Sequence, residues 1–264
     1  MITMDDKYRF EDFGFEPEPG HEDPITPNFT RKTLSIPGMA GEWDFGADIG
    51  PRSFSYPLRI DERVYPVMQE KFNRFIEFWV DHFGQPREVK MVRDYEQDKF
   101  YMVKLATQII PERLPDEGSF VLQLVANYPY KKFLLSSDKI ILDSELPIMS
   151  DIRLDTGLSN RQITKPQTFK IINNGTIAIP LTLLIEGSGT NVSFSANGKT
   201  LTLGTFTNKT IEIADRYIVK VNGVTDLSFT NGIFPILLPG KNVITVGGSN
   251  LNLTASESLT YQYV

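Results

Sequence analysis

Cysteine is absent from the 264 residues, and histidine occurs only at His21 and His82. Without thiols there is no disulfide scaffold, cysteine-ligated zinc, iron–sulfur cluster or cysteine nucleophile. Two histidines exclude a multi-histidine metal centre within one chain and confine imidazole acid–base chemistry to these two positions. Nowhere does an uncharged apolar run approach the ~20 residues of a membrane-spanning helix. The opening Met1-Ile-Thr-Met-Asp-Asp-Lys-Tyr-Arg lacks the apolar stretch of a signal peptide. The expectation is a soluble protein made in a cytoplasm, with no membrane partner. Basic residues are outnumbered, 27 against 33, for a net charge of −6. That is the wrong sign for a phosphate-binding surface, so no nucleic acid is expected as partner.

The motifs of chemistry are missing too. Gly187-Ser-Gly189 and Gly247-Gly248-Ser lack a following Lys-Ser/Thr and precede strand patterns, so they read as turns rather than phosphate loops. No Gly-x-Ser-x-Gly elbow, His-Glu-x-x-His or calcium-loop spacing occurs. His21 lies in an acidic segment and reads as solvated. His82 lies near the end of a helical pattern, where a cation suits the dipole. Paired carboxylates need not be neighbours in sequence, but Asp5-Asp6 and Glu22-Asp23 fall in loop-like stretches and read as solvated faces. No catalytic residue, metal site or cofactor is expected, and a carboxylate hydrolase ranks last among the functions considered.

What is present is an ordinary globular composition, 41% apolar and 23% charged. Charge divides unevenly, with net −8 over residues 1–164 and net +2 over 165–264. Such a shift marks a domain boundary. The expected division is 1–150 and 151–264, with a linker within 143–166.

In the first part, residues 10–27 are acidic and proline-bearing and read as an exposed loop or arm. Strand patterns follow at 31–36 and 53–60, the latter with Phe54, Tyr56, Leu58 and Ile60 on one face. Between them, Gly41-Glu-Trp-Asp-Phe-Gly46 carries two aromatics among glycines. From Asp61 as N-cap, apolar residues at Met68, Phe72, Phe75, Ile76, Trp79 and Phe83 fit a helical stripe. Pro66 is tolerated in its first turn, and Gly84-Gln-Pro86 closes it. Strand patterns return at 89–93, 100–110 and 118–127. A sheet carrying one helix is the simplest arrangement.

The second part reads as strands alone: 168–173, 177–186, 191–195, 200–203, 210–213, 217–221, 232–237, 242–247 and 260–264. Asn173-Asn-Gly175, Ala196-Asn-Gly198, Val221-Asn-Gly223 and Leu238-Pro-Gly240 supply turns. The fold class is therefore mainly β with one helix (α+β), the second domain a β-sandwich. Sandwiches often bind sugars, and a carbohydrate-binding module of a host-recognition protein is the alternative function. Against it, Trp43 and Trp79 both lie outside the sandwich, whose aromatics sit mostly at strand positions suited to a core.

The order of these features resembles the distal tail (Dit) proteins of long, non-contractile-tailed phages that infect Gram-positive bacteria. The resemblance covers about residues 29–264; the first part, with its strand, glycine-rich hairpin region, strand 52–60, helix 62–83 and return to strands, is similar to the ring-forming domain and ends in Val125-Ala-Asn-Tyr-Pro-Tyr130-Lys-Lys-Phe. In the second part, Ile171-Ile-Asn-Asn-Gly-Thr176, Ala178-Ile-Pro180, Ala196-Asn-Gly-Lys199, Val221-Asn-Gly-Val224 and Phe234-Pro-Ile-Leu-Leu-Pro-Gly-Lys-Asn242 occur in family order. They are similar to a galectin-like or carbohydrate-module-like C-terminal sandwich. The acidic residues 1–28 find no counterpart. The resemblance implies a non-enzymatic homohexameric ring at the tail tip of the virion, assembled in the bacterial host cytoplasm. One face would meet the tail tube protein and the other the tail-associated hub protein. Outward-pointing C-terminal domains would carry receptor-binding or baseplate proteins. A ring needs head-to-tail contacts that close, and large aromatics anchor interfaces. Trp43 and Phe45 are thus candidate oligomer-interface residues, the alternative being that both rings pack back on their own sheet.

Overall fold

The computed structural model describes residues 1–140 and 160–264. They form two compact units, Met1–Lys131 with Val264, and Lys132–Tyr263. The boundary expected between 150 and 151, with most of the expected linker, lies outside the described residues.

The first unit contains β1 (Ile2–Met4), β2 (Glu16–Pro17), β3 (Phe29–Leu34), β4 (Trp43–Ile49), β5 (Arg52–Asp61), α1 (Tyr65–Trp79), β6 (Val89–Arg93), β7 (Glu96–Leu105), β8 (Glu112–Arg113) and β9 (Glu117–Ala126). Its main sheet runs β1-β6-β7-β9-β5-β2, while β3 and β4 pair only with each other. At the centre, β5 and β9 are antiparallel from Arg52↔Ala126 to Asp61↔Glu117. Phe54, Tyr56, Leu58 and Ile60 all point into the core, as their alternation predicts. Met68, Phe72, Phe75 and Trp79 of α1 are buried against the same layer. Each such side chain contributes about 1.5–3 kcal/mol by leaving water.

Three expectations need correction here. Asp61 does not cap α1, because its backbone belongs to the β5–β9 ladder. The helix starts at Tyr65 behind Val64, whose N–H donates to the Glu62 carboxylate at 3.1 Å. Ile76 and Phe83 leave the stripe. Ile76 is turned ~100° from Phe75 past its edge, and Phe83 lies beyond the last helical turn and is 89% exposed. Finally, residues 10–27 are not simply an exposed arm. Phe10, Phe13 and Phe15 are buried, with Phe15 4.9 Å from the Phe75 ring and 5.2 Å from the Phe120 ring. Three phenylalanines within six residues outweigh the acids among them, since Glu11, Asp12 and Glu16 turn to solvent.

The division between the units falls inside β10 (Lys131–Phe133). The second unit continues with β11 (Arg161–Ile163), β12 (Gln167–Asn173), β13 (Ile179–Pro180), β14 (Leu183–Ala196), β15 (Lys199–Ile213), β16 (Val219–Val221), β17 (Val224–Thr225), β18 (Ile236–Leu237), β19 (Gly240–Glu257) and β20 (Gln262–Tyr263). Its principal sheet runs β11-β19-β14-β15-β16-β17, and β12 also pairs with β19. Asn197-Gly198 and Asn222-Gly223, all at positive φ, make the tight β14–β15 and β16–β17 hairpins.

Several expected short strands are instead halves of long ones. Residues 191–195 lie within β14, and 200–203 and 210–213 both lie within β15. The interruptions are bulges. Gly187 adopts φ +132°, and a Cβ there would sit 2.2 Å from the Asn252 carbonyl oxygen. Gly187-Ser-Gly189 and Gly247-Gly248 therefore lie inside β14 and β19 and are not turns. Buried residues from both halves of each long strand share one core. The described residues are mainly β with a single α-helix, as the patterning implies.

Candidate functional site

The hairpin of β3 and β4 is exposed at every residue of both strands. Trp43 is 57% and Phe45 67% exposed, so in the single chain neither ring packs back on the main sheet. Phe29, Leu34 and Ile49, which the patterning did not single out, are about half exposed on the same hairpin.

Its register explains how these side chains are distributed. Phe29↔Ile49, Thr30↔Asp48 and Arg31↔Ala47 pair at the root, and Thr33↔Asp44 and Leu34↔Trp43 toward the tip. Between them Lys32 opposes two residues, Phe45 and Gly46, which is a β-bulge. Gly46 supplies the bulge's φ of +88°, and its N–H donates to Asp44 Oδ1 at 2.9 Å. A regular strand would place Trp43, Phe45, Ala47 and Ile49 on one side. The bulge divides them. One face carries Leu34, Trp43 and Phe45 with Lys32 and Asp48, and the other carries Phe29 and Ile49 with Arg31 and Asp44. The ion pairs agree with this division, Lys32–Asp48 at 2.6 Å and Arg31–Asp44 at 3.3 Å, each within one face. At the tip, Pro37-Gly38 turns the chain, with Met39 N–H donating to the Ile36 carbonyl at 3.0 Å.

The root closes on itself, and the segment leading into it is tied to the main sheet. Gly50 N–H donates to the Asn28 carbonyl at 2.9 Å. The preceding strap lies along the free edge of β5, through Glu18 N–H to Pro57 O and the reciprocal Glu22–Ser55 pair. Its end is pinned by Asp23, which accepts from the Arg93 guanidinium and, at 2.6 Å, from the Tyr95 hydroxyl. Arg52 donates to the Pro24 and Ile25 carbonyls at 3.4 and 3.2 Å and to the Tyr101 hydroxyl at 2.5 Å. Burial raises the pKa of Tyr101 and lowers that of Arg52. Sequence reasoning missed this network because its members are scattered; Asp23 and Arg93 are 70 positions apart. For the bulge a signal existed, a glycine inside a strand pattern.

The other candidates do not converge. His21 is exposed and stacks at 6.5 Å on Tyr56, whereas His82 is exposed in the turn after α1. Among the described residues, no group of three or more His, Asp or Glu side chains is placed to hold a metal ion. In the second unit, Phe194, Phe206, Phe234 and Tyr261 are buried, but Tyr217 is 48% exposed and held at φ +63°. Its ring lies 5.1 Å from Phe234 beside a cleft of about 470 Å³ that Lys199, Leu227 and Ile233 complete.

Comparison with known proteins adds a domain match over part of the chain and a fold. Residues 8–126 match the phage tail protein RIFT-related domain. The match begins within the acidic segment, so most of 1–28 is not an extension outside the domain. No curated protein matches the chain in sequence. Among solved structures, the Dit protein of phage SPP1, described as a paradigm of hub adsorption apparatus in phages infecting Gram-positive bacteria, aligns over 100% of both chains at 11% identity and TM-score 0.71. A chain of the phage p2 baseplate in its activated conformation aligns over 97% of this chain and 94% of its own, at 10% identity and TM-score 0.42. At 11% identity the SPP1 likeness is one of fold, and the architecture is Dit-like.

Proposed function

We propose, for a chain whose residues 8–126 carry a phage tail domain on a Dit-like fold, that it is a non-enzymatic distal tail protein of the virion. Six copies would form a ring between the tail tube protein and the tail-associated hub protein. The first unit is the ring-forming part, and the second attaches receptor-binding or baseplate components. The ring is assembled in the cytoplasm of the bacterial host, without nucleic acid, membrane or cofactor. One observation carries this reading: a well-anchored hairpin whose large apolar side chains have nothing to cover them in the single chain. Two-stranded hairpins are marginal by themselves, and contiguous exposed apolar surface marks an interaction site. Trp43 and Phe45 are its anchors. The double substitution Trp43→Ser/Phe45→Ser should leave a folded chain that no longer assembles beyond a monomer. A double variant that still forms hexamers would remove both residues from the interface.

A second reading rests on Tyr217. A bulky residue at positive φ is strained, and such strain concentrates at functional sites. An exposed ring beside a cleft suits the apolar face of a sugar, so the second unit would bind cell-wall polysaccharide. Retention on such polysaccharide, abolished by Tyr217→Ala, tests it; equal retention of both proteins would exclude this cleft.

A further inference from the structure

We infer that the cleft beside Tyr217 takes an acidic saccharide, one bearing carboxylate or phosphate groups, and that Lys199 reads the anion. The inference rests on the second reading above, in which this cleft binds polysaccharide, and names the class of sugar. Lys199, Tyr217, Leu227, Gly232, Ile233 and Phe234 line the cleft. Its volume of about 470 Å³ lies within the ~300–1,000 Å³ usual for sites that hold small ligands.

The walls are fixed within the chain itself. Asn231 staples the loop that carries Gly232 and Ile233 onto β15. Its Oδ1 accepts from the Thr202 N–H at 3.1 Å and the Ile233 N–H at 3.2 Å, and its amide donates to the Thr200 carbonyl at 2.9 Å. Asp226 holds the turn that presents Leu227, accepting from the Ser228 N–H at 3.1 Å and the Ser228 hydroxyl at 2.6 Å. Lys199 opens β15 behind Asn197-Gly198, and the Asn197 amide donates to the Ile236 carbonyl and to Asn242 Oδ1, both at 2.7 Å. Tyr217, Leu227 and Ile233 stand about half exposed on this frame. Little ordering of the protein is left to oppose binding.

The polar chemistry of the cleft is one-sided. Of the six lining side chains only Tyr217 and Lys199 have polar groups. An ammonium offers three donors and no acceptor. Its partner on a ligand must accept, and an anionic oxygen accepts most strongly. Among the described residues, no carboxylate pairs with Lys199, whereas Lys220 and Lys132 of the same unit pair with Glu212 at 3.1 Å and Asp215 at 3.4 Å. Residues 165–264 carry net +2 in a chain of net −6, so this part of the molecule is the one that draws an anionic polymer.

Titration calorimetry of the full chain with three polymers tests this: polygalacturonate, which bears carboxylates, phosphomannan, which bears phosphates, and neutral dextran. At least one acidic polymer should bind about tenfold more tightly than dextran, less so at high salt, and the tighter of the two identifies the anion. Lys199→Gln should lose about tenfold toward that polymer, while Lys199→Arg keeps most of the affinity. Lys170→Gln removes the same charge outside the cleft and should change binding by less than about twofold. Equal losses in Lys199→Gln and Lys170→Gln would mean general attraction by charge and overturn the proposal. If dextran binds as tightly as the acidic polymers and Tyr217→Ala abolishes that binding, the sugar reading stands and the anion is wrong. If no polymer binds, or Tyr217→Ala binds all three as the unaltered chain does, both fall together.

Discussion

Asp23 and its two donors tie the strap that precedes the hairpin to the Arg93–Tyr95 end of β6 and its turn. The carboxylate and the Arg93 guanidinium are 13% and 7% exposed, so neither is well solvated, and Glu96 lies a further 3.8 Å from Arg93. Removing one member of a buried pair leaves the other uncompensated, at a cost of about 3 kcal/mol. Asp23→Asn keeps the side-chain shape and should lose that much in urea denaturation; a loss below about 1 kcal/mol would show that the strap is held by its backbone bonds alone. The neighbouring phenols predict a pH dependence. Burial raises the pKa of both Tyr56 and Tyr101 above the ordinary value. Below about pH 10 both states keep the proton and stability is unaffected. As pH climbs from about 10, the unfolded chain ionises first, and stability falls until the folded-state pKa is passed. Denaturation midpoints measured from pH 8 upward should therefore be flat and then decline, with a shallower decline in Tyr56→Phe. An identical slope in that variant would contradict the assignment.

Among the secondary elements, two glycines in strands behave differently. Gly46 has positive φ but nothing within 4 Å of a Cβ, so Gly46→Ala meets only backbone strain, about 1 kcal/mol, and loosens the hairpin bulge. Gly187 also has positive φ, and its Cβ would collide with the Asn252 and Leu253 backbone. Gly187→Ala should cost roughly 3 kcal/mol or more in thermal or urea unfolding. Similar losses at the two positions would mean that close packing at β14–β19 is not what requires glycine. The same pair shows why some elements were legible and others were not. The Phe54–Ile60 alternation and most of the helical stripe follow from burial periodicity, which sequence carries directly. A glycine that ends a strand and one that bulges within it have the same letter; only the register against the partner strand tells them apart. For that reason the long strands of the second unit read as short ones. It is also why Trp43 and Phe45 were legible as candidates while the division of the hairpin into two faces was not. Phe10, Phe13 and Phe15 were hidden differently, by acids whose outward direction is set only once α1 covers the rings.

At the scale of the whole molecule, we propose that one exposed hairpin per chain, its charges paired within itself, is completed by another copy. Most of the main sheet's core closes on itself, whereas the hairpin does not. Solution mass by light scattering after size exclusion, over a range of concentrations, tests this most directly. We predict ring-shaped particles of about 179 kDa, six copies of the 29.9 kDa chain. A strict 29.9 kDa monomer at every concentration would contradict it.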